Sequence, residues 1–154
     1  MVIKTGFSLI ELVVVIGLLS LLMLAISGTM MMSVVSSTRI RTTTKVKQAG
    51  NYAMDQISFM IRNAKSITNC NASTKEVALI NPDGGQTTFS LSSSRIASVS
   101  ATTAYLTPSN LTVSNYALDC SVTNLVKLSF YLKDSTLTKG NPNLYFETSI
   151  NTRN

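Results

Sequence analysis

The run Lys4-Thr5-Gly6-Phe7-Ser8-Leu9-Ile10-Glu11 leads straight into an apolar stretch. From Leu12 to Ala25 every residue is apolar except Gly17 and Ser20. Carried on to Met32, the stretch gives about twenty mostly uncharged residues, enough for a helix to cross ~30 Å of hydrocarbon. A spanning segment must satisfy its own backbone polar groups, which makes it a helix. Glu11 stands near the start of this stretch, and a carboxylate in the apolar layer costs about 2.5–3.5 kcal/mol even on lenient insertion scales. Such a charge needs a partner.

Three arrangements fit an N-terminal segment of this kind. One is a secretory signal, with Lys4 as its basic region and Ala25-Ile26-Ser27 as a small-residue cleavage site. Another is a plain single-pass anchor, and the third is an anchor whose short leader is removed at its front edge. Charge bias does not choose among them. Lys4 and the α-amino group precede the stretch, while Arg39, Arg41, Lys45 and Lys47 follow it. Counted alone, the positive-inside rule places the C-terminal part in the cytoplasm. The cysteines argue for export, and two of the four basic residues lie well beyond the span.

Lys4-Thr5-Gly6-Phe7-Ser8-Leu9-Ile10-Glu11, followed by an unbroken apolar helix, resembles the leader and first residues of type IV prepilins and type II secretion pseudopilins. The resemblance implies that a prepilin peptidase cuts after Gly6 and that Phe7 becomes an N-methylated N-terminus. The apolar helix would stay on the protein. Glu11 is then the acidic residue four places on, and the new α-ammonium of Phe7 is its partner, within a helical turn or on a neighbouring subunit. Two desolvated opposite charges attract strongly, and either one left unpaired is expensive. In the family the pair registers an incoming subunit in a growing filament. The processing residues implied are Gly6 and Phe7, and the assembly residues Phe7 and Glu11.

The helix is expected to continue. Between Ser33 and Lys65 there is no proline and one glycine, Gly50. Val46, Ala49, Ala53, Ile57, Met60, Ile61 and Ala64 recur at three-and-four spacing, marking one helix face, with Lys47, Asn51, Asp55, Arg62 and Lys65 opposite. Gly17, Gly28 and Gly50 are expected weak points. A helix from Phe7 to about Ala64 would be on the order of 85 Å long.

Short strands follow. Glu76–Ile80 and Gln86–Leu91 flank Asn81-Pro82-Asp83-Gly84-Gly85, a hairpin pattern. Arg95–Val99 and Ala104–Leu106 make a weaker pair, Leu111–Leu118 leads into Asp119-Cys120, and Leu125–Leu132 and Leu144–Ile150 flank a turn at Lys139-Gly140-Asn141-Pro142. The expectation is an α+β fold, pilin-like by the resemblance, with one antiparallel sheet on the amphipathic part of the long helix. The organisation expected is leader 1–6, transmembrane and filament-core helix 7–32, amphipathic continuation 33–66 and β-rich domain 67–154. The last residues, Phe146 to Asn154, are similar to the final strand and Arg-Asn tail of several minor pilins, which leans towards a minor subunit.

Two cysteines, Cys70 and Cys120, form an even pair in the small exported part, which favours a disulfide. Closing a loop of that length contributes on the order of 4 kcal/mol in the chain-entropy model. The chain has no histidine, so Ser-His-Asp, Cys-His and His-metal chemistry are excluded. The few carboxylates near Asp83 and Asp119 assemble no calcium cage of about 6–8 oxygens, and turn chemistry accounts for Asp83. Met30, Met31 and Met32, at the end of the span, suit lipid or filament packing. No cofactor, metal or enzymatic activity is expected.

The partners implied are the prepilin peptidase, other pilin or pseudopilin subunits, an inner-membrane assembly platform and the membrane itself. The protein would be single-pass in the inner membrane, with its C-terminal domain outside the cytoplasm, and would move into a periplasmic or cell-surface filament. The alternative is a minor tip subunit that binds DNA or a surface. The net charge of +6 keeps nucleic acid open without supporting it, and a contiguous basic or aromatic patch on the sheet domain would be its mark.

Overall fold

The computed structural model describes residues 6, 8–122, 124–136 and 142–152. One helix, α1 (Leu9–Asn63), is followed by eight strands: β1 (Ser66–Asn71), β2 (Glu76–Ile80), β3 (Gln86–Ser92), β4 (Arg95–Val99), β5 (Thr103–Tyr105), β6 (Leu111–Asp119), β7 (Leu125–Asp134) and β8 (Leu144–Asn151). The architecture is α+β. The chain divides into two compact units, Met1–Ile40 and Arg41–Asn154. The first buried residue of α1 is Thr42, at the start of the second unit.

In the second unit two sheets replace the single sheet expected. One has the order β1-β2-β3-β4-β5 and the other β6-β7-β8, every pairing antiparallel. The break between them has a local cause. After Tyr105 the Thr107 side chain turns inward, where its hydroxyl accepts the Ile96 N–H at 3.1 Å. Pro108 follows and has no N–H to extend a ladder. The chain then restarts as β6, and one backbone bond, Val113 N–H to Ser94 O at 2.8 Å, reaches back to the first sheet.

The helix α1 ends at Asn63, close to the expected end near Ala64, but strand β1 was not expected. The sequence Ser66-Ile67-Thr68-Asn69-Cys70-Asn71 has little alternation to read, and a register shift between Ile67 and Asn69 breaks what there is. The β2–β3 hairpin is as expected. Gly84 takes φ +87°, the Asp83 carboxylate accepts the Gly85 N–H at 2.9 Å, and Asn81 Nδ2 donates to Thr87 Oγ1 at 2.9 Å. Of the expected β7–β8 turn, Lys139 to Asn141 lie outside the described residues.

Both sheets and the helix share one core. Val46, Ala53, Met54, Ile57 and Ile61 of α1 join Val77, Leu79, Phe89 and Ile96 of the first sheet and Val113, Tyr116, Leu128, Phe130, Phe146 and Ile150 of the second. In β6 the inward set runs Leu111, Val113 and then Tyr116, Leu118. A bulge between Ser114 and Ala117 makes this change of parity, with Asn115 at φ +50°; an extra residue flips the alternation of every residue after it. Tyr116 thereby enters the core beside Phe130, at 6.5 Å between centroids. Its hydroxyl is buried with no hydrogen-bond partner among the described residues, and that burial pushes its pKa up and keeps it neutral.

Gly50 is not the weak point it was expected to be. It is buried, and a Cβ there would collide with the ring of Phe146. That ring stacks on Phe130 at 5.4 Å, its direct cross-strand partner. Glycine is therefore required so that an aromatic row across β6, β7 and β8 can lie against the helix backbone. Gly17 and Gly28 have open space instead. Gly50→Ala is expected to destabilise the domain by about 1–3 kcal/mol through overpacking, although alanine is the better helix former by about 1 kcal/mol. Gly17→Ala, with nothing to strike, should leave the domain's denaturation midpoint unchanged.

Candidate functional site

The first unit presents an unusual surface. No residue of α1 before Thr42 is buried, and the exposed side chains include Leu9, Ile10, Leu12, Val13, Val14, Val15, Ile16, Leu18, Leu19, Leu21, Leu22 and Met23 to Leu24. The apolar surface runs round the whole helix, which marks burial on every side and not docking along one stripe. This helix is long and apolar enough to span a membrane.

Three of its hydroxyl groups bond back to the helix backbone. Ser20 Oγ donates to Gly17 O at 2.8 Å, Ser27 Oγ to Met23 O at 2.8 Å, and Thr29 Oγ1 to Ile26 O at 2.9 Å. Each donor is satisfied within its own helix. Glu11 differs from these three. It sits in the first turn, where the positive end of the helix dipole favours a carboxylate, and its N–H bonds to Ser8 O at 3.0 Å. Among the described residues its carboxylate has no ion-pair or hydrogen-bond partner.

Gly6, at the expected cleavage point, is exposed and has open space around its Cα. Phe7, expected to be cut free there and to pair with Glu11, lies outside the described residues. The expected disulfide is present: Cys70 and Cys120 are bonded, with Cα atoms 6.2 Å apart. It joins β1, in the first sheet, to the residue that follows β6 in the second, so it staples the two sheets together. The half-buried bridge lines a cavity of about 250 Å³ with Ile61, Ile67 and Val126.

A second place of interest was not foreseen. Lys45, Tyr52, Arg95 and Tyr105 share the lining of one groove. In the sequence Arg95 looked scattered, and the helical spacing of Arg41, Lys45 and Tyr52 was the only available signal. Beneath this region Asp134, buried at the end of β7, accepts the Thr136 N–H at 2.8 Å. Hydrogen bonds from Thr136 hold its carboxyl below the usual range, and the Lys45 charge assists.

The chain matches no known family model, no curated protein and no solved structure.

The lowered pKa of Asp134 makes stability depend on acid. A carboxyl whose pKa is lower folded than unfolded contributes fully above its unfolded value, and that contribution fades as pH falls through the folded one. Urea midpoints of the detergent-solubilised protein should therefore drop as pH falls below the ordinary carboxyl value of 3.8. Asp134→Asn should lower the midpoint at neutral pH and flatten that acid limb.

Proposed function

We propose that this protein is a structural subunit of a type IV pilus-like or pseudopilus filament. A prepilin peptidase cuts it after Gly6, and its apolar helix holds it in the inner membrane with the sheet domain outside the cytoplasm. It then passes into the filament through an assembly platform that supplies the work. The chain itself carries out no catalysis. The observation that carries this is the carboxylate of Glu11, which has no partner among the described residues and stands in the first turn of a helix whose next twenty-odd residues are almost all apolar and exposed on every side.

Two burial partners suit such a helix at different times, lipid and neighbouring copies of the same helix. Moving an apolar side chain from lipid to protein gains little, because hydrocarbon tails are as apolar as leucine. What differs between the two states is the charge. In lipid Glu11 carries the insertion penalty; beside the α-ammonium of a neighbouring subunit's Phe7 the charge is matched. Repeated contacts of this head-to-tail kind do not close on themselves, and they generate a helical filament. The Cys70–Cys120 bridge is in keeping with an oxidising compartment outside the cytoplasm.

Glu11→Val tests this. The variant is expected to be processed after Gly6 and to stay in the membrane fraction, yet to be lost from sheared filaments of its own host by about tenfold or more, in line with the cost of an unpaired buried charge. Wild-type incorporation of Glu11→Val would contradict the proposal, as would a Gly6→Val protein that is still shortened.

A further inference from the structure

The groove lined by Lys45, Gln48, Tyr52, Arg95, Tyr105 and Asn110 has a volume of about 610 Å³. Its parts come from one face of α1 and from the strand pair β4–β5 with the loop that follows. Arg41, Lys45 and Tyr52 stand four and seven residues apart on the helix, a spacing that stacks them on one face. Across the groove the Arg95 guanidinium lies 3.9 Å over the Tyr105 ring. Its Nε and Nη2 donate to Thr107 O at 2.8 and 2.7 Å. A neutral carbonyl thus holds Arg95 in place and leaves its charge intact. Tyr52 and Tyr105 keep 55% and 42% of their surface exposed, so both rings remain available for contact.

Among the described residues no carboxylate lines the groove. Asp134, whose charge acts on Lys45, is buried and engaged with Thr136. A concave site with fixed and flexible cations, the open ring of Tyr52, the ring of Tyr105 with Arg95 over one face, and two amide side chains matches a chain of anions carrying flat rings. We propose that this groove binds single-stranded nucleic acid, with phosphates at Arg41, Lys45 and Arg95 and a base stacked on Tyr52 or Tyr105. Such stacking tolerates any base, since every base has a π-face. A duplex keeps its bases inside the stack and offers these rings nothing, and an anionic lipid headgroup has no ring to stack. The site lies beyond the assembly function and does not depend on it.

Fluorescence anisotropy of a labelled thymidine oligonucleotide, with the full chain in non-ionic detergent, tests the site. Saturable binding is expected at about 50 mM salt, with log K falling against log salt with a slope near −2 for three cation contacts. Tyr52→Ala, at an exposed helix position, should weaken binding by about tenfold and leave the slope unchanged. Lys45→Gln should reduce the slope by about 0.7. Tyr145→Ala, an exposed tyrosine outside the groove, should bind as wild type, and so should Glu11→Val, which separates this site from assembly. The proposal is overturned by an absence of binding at that salt, or by equal effects of Tyr52→Ala and Tyr145→Ala. It is equally overturned if a duplex of the same length or phosphatidylglycerol vesicles bind as tightly as the oligonucleotide and are indifferent to Tyr52→Ala.

Discussion

A carboxylate without a partner among the described residues, at the start of a long apolar helical segment, is the constraint from which the rest follows. The side chains from Leu9 to Val35 gain nothing by choosing one apolar surrounding over another, so on their own they specify neither partner nor register. Glu11 does. Its charge tolerates hydrocarbon poorly and is tolerated well beside a cation. The hydroxyls of Ser20, Ser27 and Thr29, bonded back to their own helix, sharpen the contrast with a carboxylate that has no partner among the described residues. On the proposed assembly pathway, one proteolytic cut creates the cation that meets it.

The second unit solves a different problem, holding a small core together. Its helix face and two short sheets bury one shared cluster. Both sheets are needed for it as built, since the first supplies Val77, Leu79, Phe89 and Ile96 and the second Leu128, Phe130, Phe146 and Ile150. The aromatic row needs Gly50 to come close to the helix, and the Cys70–Cys120 bridge ties the first sheet to the second. Tyr116 shows that the packing is not optimal everywhere: its stranded hydroxyl costs about 1–3 kcal/mol that a phenylalanine would not.

What was legible in the sequence is what periodicity and turn chemistry carry. The long helix, the hairpin around Asp83-Gly84, the strands from Glu76 onward and the cysteine pair were all readable. Strand β1 was not, because Ser66 to Asn71 are mostly polar and bulged. The split into two sheets depends on an inward Thr107, and the burial of Tyr116 on one extra residue near Asn115; neither leaves a periodic trace. Gly50 was misread for a physical reason. Helix propensity treats every glycine as a loss, and only the tertiary position of Phe146, almost a hundred residues away in sequence, makes it a requirement. At the candidate site Gly6 and Glu11 stood out at once by charge and context. The groove at Lys45 and Arg95 did not, since distant segments form it.

The most direct measurement is the intact mass and N-terminal sequence of the protein taken from membranes of its own host. A chain that begins at Phe7 and carries one additional methyl group is the expected result, because it creates the ammonium that Glu11 requires. A chain that begins at Gly28 would mean a conventional secreted protein without the apolar helix. An uncut chain beginning at Met1 would leave a plain anchor with an unmatched carboxylate, and either finding would contradict assembly through Phe7 and Glu11.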